Sequence, residues 1–295
     1  MGMDVFSIHK PKKPLPVVFD SPHSGRTYPE DFNYACAREA LERIEDRYVD
    51  DLFSAAPNYG AALLRAHFPR TYIDVNRARD DIDDLLLDEP WPSHLHGKTQ
   101  ASRRSDAGIG LISRLIKPGI PIYDRHLGAQ EIMDRIITCY DPYHDALEKL
   151  LEEAYYNYGA FWHINCHSMP GASAYPRRTV MMVGSLPRPS DIVLGDLDGQ
   201  TCGRDFLYTI RDFWKSRGLR VTINDPFKGV ELIRRHAQPT RGKNSLQIEI
   251  NRSLYMNEET GEKTRNYEVI KTHLDEMISL TCTFARSKLT NLAAD

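Results

Sequence analysis

Four apolar stretches of this 295-residue chain run into residues that can do chemistry. "VVFDSPHSG", residues 17–25, leads to His23. "TYIDVNRARDD", residues 71–81, carries Asp74, Asn76 and Arg77. "FWHINCHSMPG", residues 161–171, ends in His167 and Ser168. "SLQIEINRSLYM", residues 245–256, carries Glu249, Asn251 and Arg252. His23 and His167 are two neutral nitrogen ligands, and a carboxylate beside them completes a three-ligand zinc site with an open position for water. "IEDRYVDDLF", residues 44–53, offers Glu45, Asp46, Asp50 and Asp51 for that role. Asp46 and Asp50 are four residues apart, which places them on one face of a helix. The bland alternative for any of the four is a solvated acidic surface.

Glu249 sits within "LQIEI". Leu246, Ile248 and Ile250 share one side of a strand, and Gln247 and Glu249 share the other. A carboxylate on a strand facing a pocket is a general-base candidate. Its plain alternative is an ion pair with an arginine. Arg77 presents a planar fork that matches a carboxylate, with Asn76 beside it as a further donor; capping or surface pairing is the competing role. Ser24 and Ser168 adjoin histidines in sequence, but strand neighbours face opposite ways and no G-x-S-x-G is present, so neither reads as a nucleophile. His163, in mid-strand, reads as a hydrogen-bonded core residue. His94 and His96 lie in a loop and could bind metal only adventitiously.

These groups need elements to hold them. Short apolar or alternating runs bounded by Gly, Pro, Asp and Asn predict strands at Pro16–Asp20, Ala61–Ala66, Thr71–Val75, Phe161–Asn165, Thr179–Gly184, Arg220–Ile223 and Ser245–Ile250. Three- and four-residue apolar steps predict helices over residues 35–56, 200–218 and 264–290. Another is predicted over 141–159, with Asp141 as N-cap and Pro142 at its first position. Alternating strands and long helices imply an α/β fold, a mixed, mostly parallel sheet flanked by helices. In such sheets ligands gather at the carboxyl ends of the strands. The expected organisation is a polar lead-in over 1–15, flexible, and one domain over 16–295. That domain carries a long loop excursion at 78–124, of the kind that is usually functional or mobile.

Composition narrows the function classes. A net charge of −3 and no long Lys/Arg run argue against nucleic acid as a partner. No run of 18 apolar residues predicts a membrane span. The first 16 residues lack the apolar stretch of a signal peptide. Five dispersed cysteines without a C-x-x-C read as reduced thiols, so a cytoplasmic location is expected.

"DSPHSGRTYP", "DRYVDDLF", "TYIDVNRARDD", "CHSM", "FKG" and "QIEINRSLYM", in this order, resemble the N-formylglutamate amidohydrolase family from about Pro16 to about Met256. That family is similar in fold to zinc carboxypeptidases and aspartoacylases, a phosphorylase/hydrolase-like sheet between helices with a single zinc. The resemblance implies His23, Asp46 and His167 as ligands of one zinc ion per chain, and Glu249 as general base. It implies Asn76 and Arg77 as the pair that holds a substrate carboxylate, with Lys228 and Arg235 as weaker candidates for a second one. Two features depart from the simplest pattern. His23 begins "HSGR" and not H-x-x-E, so the carboxylate ligand is assigned by family position alone. The segments "ASRRSDAGIG" and "IYDRHL", where specificity would be set, do not align.

The implied activity is hydrolysis of N-formyl-L-glutamate to formate and L-glutamate, a small anionic N-acyl amino acid being the substrate. Gly25 would let the chain turn away after His23. Two alternatives stand beside it: a metal-dependent amidohydrolase acting on another N-acyl amino acid or small peptide, and a non-catalytic metal- or ligand-binding protein on the same fold.

Overall fold

The structure is a computed structural model that describes residues 4–92, 102–116, 119–177 and 188–292. Its strands are β1 (Phe6–His9), β2 (Val17–Ser21), β3 (Ala62–Ala66), β4 (Leu115–Ile116), β5 (Ile120–Pro121), β6 (Phe161–Met169), β7 (Ile192–Gly195), β8 (Val221–Ile223) and β9 (Lys243–Asn251). Its α-helices are α1 (Arg38–Glu42), α2 (Val49–Leu52), α3 (Ala56–Tyr59), α4 (Arg103–Asp106), α5 (Ala129–Arg135), α6 (Asp141–Tyr158), α7 (Arg204–Ser216), α8 (Glu231–His236) and α9 (Tyr267–Leu292).

Seven strands form one sheet in the order β1-β3-β2-β6-β9-β7-β8, and β4 and β5 form a separate antiparallel pair. β6 pairs parallel with β2 and with β9, and β7 pairs parallel with β8; β7 and β9 run antiparallel. The sheet is therefore mixed and mostly parallel, with helices flanking it, as the alternation of elements predicts.

The chain divides into two compact units. One comprises residues 1–7, 22–45 and 65–147, the other 8–21, 46–64 and 148–295. In the second unit one sheet face is apolar. Val17 and Phe19 of β2, Trp162, Ile164 and Cys166 of β6, and Leu246, Ile248 and Ile250 of β9 enter one core with Phe206, Ile210 and Trp214 of α7 and Leu274, Met277 and Ile278 of α9. The period of two along each strand sends the intervening residues to the other face. The register aligns them. Asp20 lies opposite Asn165, and His163, Asn165 and His167 lie opposite Ser245, Gln247 and Glu249. That opposite face is a row of buried polar side chains. In the first unit, Arg135 is fully buried. It donates to the Tyr72 carbonyl, the Tyr123 hydroxyl and Glu131, with its guanidinium over the Tyr72 ring.

Several elements differ from the sequence expectation. The 35–56 helix is broken into α1, α2 and α3. Tyr48, at the start of α2, has φ 70°, a left-handed conformation that costs a non-glycine residue about 1 kcal/mol or more. Its hydroxyl donates to the Gly261 carbonyl and its ring meets Tyr267 edge-on, so tertiary contacts override the helical period. Asp46 accordingly lies in a turn and not on a helix face with Asp50. Thr71–Val75 is buried but forms no strand: Tyr72 N–H donates to Pro69 and Asp74 N–H to Leu111, both in turns or loops. Asp141 is not an N-cap. α5 runs into α6 through a π-helical turn, Ile136–Tyr140, and that widened turn accommodates Pro142, which cannot donate the bond an α-helix needs there. Phe6–His9, within the stretch read as a lead-in, is strand β1. Ile192–Gly195, which periodicity missed, is β7. The strand expected at Thr179–Gly184 falls outside the described residues, as do His94 and His96.

Candidate metal centre and active site

β2 ends at Ser21, and Pro22 carries the chain to His23. Gly25 follows in a tight place. A Cβ there would lie 2.3 Å from the Phe68 carbonyl oxygen, so glycine is required by the passing 67–68 backbone and not by the sharpness of the turn. Buried His23 faces Asp74, with Nε2 2.7 Å from Oδ1. Burial pushes the Asp74 carboxyl up, but the charges of Arg77, His23 and Arg70 outweigh it and hold the group well below the usual carboxylate range.

His167 sits near the end of β6. Its Nε2 lies 2.7 Å from Asn165 Oδ1 and its Nδ1 lies 3.0 Å from Asp46 Oδ2. The other Asp46 oxygen accepts from Arg252 Nη2 at 2.9 Å and from Ser168 Oγ at 3.1 Å. Arg252 Nε also donates to Ser168 Oγ. Asp46 is thus oriented by an arginine and a serine with its second oxygen toward His167.

Donor atoms of His23, Asp46 and His167, all buried, lie within 4.8 Å of one another. No other group of three or more such ligands is found among the described residues. The donor set fits zinc on its chemistry. Two imidazole nitrogens and a carboxylate oxygen are ligands that zinc accepts. The histidines are held as metal-binding histidines usually are, with one ring nitrogen on a protein oxygen. His167 also faces an acceptor at each nitrogen, and a neutral imidazole has a single N–H to give. A cation at Nδ1 resolves that conflict.

Two of the other acidic candidates, Glu45 and Asp51, are engaged elsewhere. Glu45 accepts from the Tyr28 hydroxyl at 2.6 Å and pairs with Arg26. Asp51 is bound by Tyr267, Lys263 and Lys271. Burial raises the Asp51 carboxyl, but those bonds outweigh it and pull it down to about 2.

Glu249 is opposite His167 in the β6–β9 register and so shares its sheet face. It is 8% exposed and accepts from Gln247 Nε2 at 2.9 Å. Asn76 is buried, its backbone N–H donating to Asp74 Oδ1. Arg77 donates Nε to the Ile109 carbonyl and Nη1 to the Asn76 carbonyl, and Nη2 lies 3.6 Å from Asp74. Burial lowers the Arg77 guanidinium to about 10; Asp74 opposes that fall, and Arg104 and Arg70 add to it. Lys228 pairs with Asp198, and Arg235 is exposed on α8. No contact of either with the histidines or Glu249 is seen among the described residues.

Sequence reasoning gave Asp20 and Asn165 no role, placed Gln247 only on the strand face of Glu249, and named Ser168 and Arg252 without foreseeing their bond. Their signal was the polar alternation at 163, 165 and 167 against 245, 247 and 249, legible only once the register is known.

Comparison with known proteins bears on what this arrangement does. A family model described as N-formylglutamate amidohydrolase matches residues 15–256. A crystal structure of N-formylglutamate amidohydrolase from Ralstonia eutropha JMP134 is 40% identical, with a TM-score of 0.89 over 97% of this chain and 100% of that one. The N-formylglutamate deformylase of Pseudomonas aeruginosa is 25% identical over 83% of this chain and 84% of its own length. That of Pseudomonas putida is 24% identical over 86% of each.

Proposed function

The chain belongs to the N-formylglutamate amidohydrolase family, and on that premise we propose that it hydrolyses N-formyl-L-glutamate to formate and L-glutamate with one bound zinc ion. The observation that carries this reading is the convergence of His23, Asp46 and His167, three buried donors from segments far apart in sequence. These three residues would hold the metal. Zinc, when bound, supplies a Lewis acid that lowers the pKa of a coordinated water from 15.7 to about 7.

The protein's own residues supply the rest. Glu249 takes the proton of the attacking water and delivers it to the leaving amine, as a positioned carboxylate does in general acid–base catalysis. Gln247 fixes the Glu249 rotamer through its bond to Oε1. Arg77 binds the substrate α-carboxylate through its planar fork. Asn76 adds a donor beside it. Lys228 and Arg235 remain proposals for the second carboxylate; their exposure and the Lys228–Asp198 pair favour neither.

The test is a panel of N-formyl-L-glutamate, N-formyl-L-aspartate, N-acetyl-L-glutamate and N-formylglycine compared by kcat/KM. The expected order places N-formyl-L-glutamate first. Preference for an acetyl substrate would transfer the same chemistry to another N-acyl amino acid.

A further inference from the structure

Building on the reading of His167 as a metal ligand, we infer that Asp20 and Asn165 are positioning residues that fix its tautomer, so that Nδ1 is the nitrogen offered to the metal. The three side chains form a buried chain within one unit: Asn165 Nδ2 donates to Asp20 Oδ1 at 2.9 Å, and His167 Nε2 lies 2.7 Å from Asn165 Oδ1. Asp20 and Asn165 are fully buried and His167 is 2% exposed. A carboxylate has acceptors only, so the amide group that faces it must be the NH2. The amide carbonyl then faces His167, and a carbonyl accepts only from N–H. Nε2 therefore carries a proton, and in the neutral ring Nδ1, beside Asp46 Oδ2 at 3.0 Å, keeps the lone pair that a metal needs.

The far end is anchored as well. His163 Nε2 lies 2.8 Å from the same Asp20 oxygen, and His163 Nδ1 lies 3.1 Å from Ser245 Oγ. His163 thus helps to hold Asp20 in place, and the polar row across β2, β6 and β9 acquires a purpose. The two candidate ligands are oriented differently. His23 meets a carboxylate, Asp74, directly. His167 meets a neutral amide at Nε2, which passes on the orientation set by Asp20, and the Asp46 carboxylate at Nδ1.

The measurement is zinc affinity on the full-length chain, by competition with a chromophoric chelator, with circular dichroism to register folding. Asn165→Ala is expected to fold and to bind zinc 10- to 100-fold more weakly, the usual loss when a group orienting a ligand is removed. Exchanging the two residues, Asp20→Asn with Asn165→Asp, restores an acceptor at position 165 and a donor at position 20. The exchanged protein is expected to recover most of the lost affinity. Unchanged zinc affinity in folded Asn165→Ala, even with lowered thermal stability, would overturn the inference. So would an exchanged variant that folds yet binds no better than Asn165→Ala. If the parent itself takes up no zinc in the same assay, it is the metal reading that fails, and the inference falls with it.

Discussion

Glu249 and Arg252 separate two kinds of residue around the candidate centre. Glu249 is assigned to proton transfer and lies outside the His23–Asp46–His167 set. Glu249→Gln is therefore expected to keep zinc at parent stoichiometry while kcat falls by about 10²- to 10⁴-fold, the range that a general acid–base contributes. Metal content by mass spectrometry alongside turnover checks both halves; an active Glu249→Gln removes the role. Arg252 acts on a candidate ligand, through bonds to Asp46 and Ser168. Arg252→Ala leaves a buried carboxylate without its cation, a change that typically costs 3–5 kcal/mol. It should lower the melting temperature and the zinc content together, and a variant with normal values of both would contradict that arrangement. The positions of His167 and Glu249 were legible because an imidazole and a carboxylate interrupt apolar strands, and that of His23 because it follows one directly. Asp20 and Asn165 were not, because single polar residues in strands carry meaning only when the register brings them together.

At the scale of elements, most strands of the large sheet were readable. β2, β3, β6, β8 and β9 are short apolar runs with clear boundaries. What failed was the region around the candidate ligands, where tertiary contacts displace local preference. The 35–56 periodicity promised one helix, yet Tyr48 adopts φ 70° and the segment breaks there. The same segment gives a pH prediction. Asp51 on α2 is bound by Lys271 and Tyr267 of α9 and by Lys263 just before that helix. Its carboxyl is lowered from 3.8 to about 2 in the folded protein. A lowered pKa contributes stability that is present above the unfolded value and lost as pH falls through the folded one. Asp51→Asn should therefore melt below the parent at pH 7, and the gap should close between about pH 4 and pH 2. Because Asp51 is partly exposed, the gap is expected to be small and to narrow with salt. Thermal melts across that pH range decide it; a gap independent of pH would mean that the ion pairs contribute nothing. Gly25→Ala tests the close approach after β2. The added methyl overlaps the Phe68 carbonyl, and overpacking of this kind costs about 1–3 kcal/mol. Chemical denaturation reads that cost directly, and an unaltered midpoint would show that the 67–68 segment yields freely.

For the molecule as a whole, sheet order β1-β3-β2-β6-β9-β7-β8 brings β2, β6 and β9 side by side, although β2 covers residues 17–21 and β9 residues 243–251. That order was not legible in the sequence, since strand pairing depends on long-range contacts that no local pattern encodes. The mixed α/β class was legible, because strands and helices alternate along the chain. No helix of the described residues is long and apolar enough to cross a membrane. If the folded chain holds zinc and the unfolded chain does not, binding adds stability by mass action, about 2.7 kcal/mol when free metal is a hundred times Kd. The measurement that bears most directly on the proposed activity is formate release from N-formyl-L-glutamate by chelator-treated protein, before and after zinc is restored. The account predicts negligible release without metal and recovery with stoichiometric zinc. Equal release by both preparations would contradict a metal-dependent mechanism at His23, Asp46 and His167.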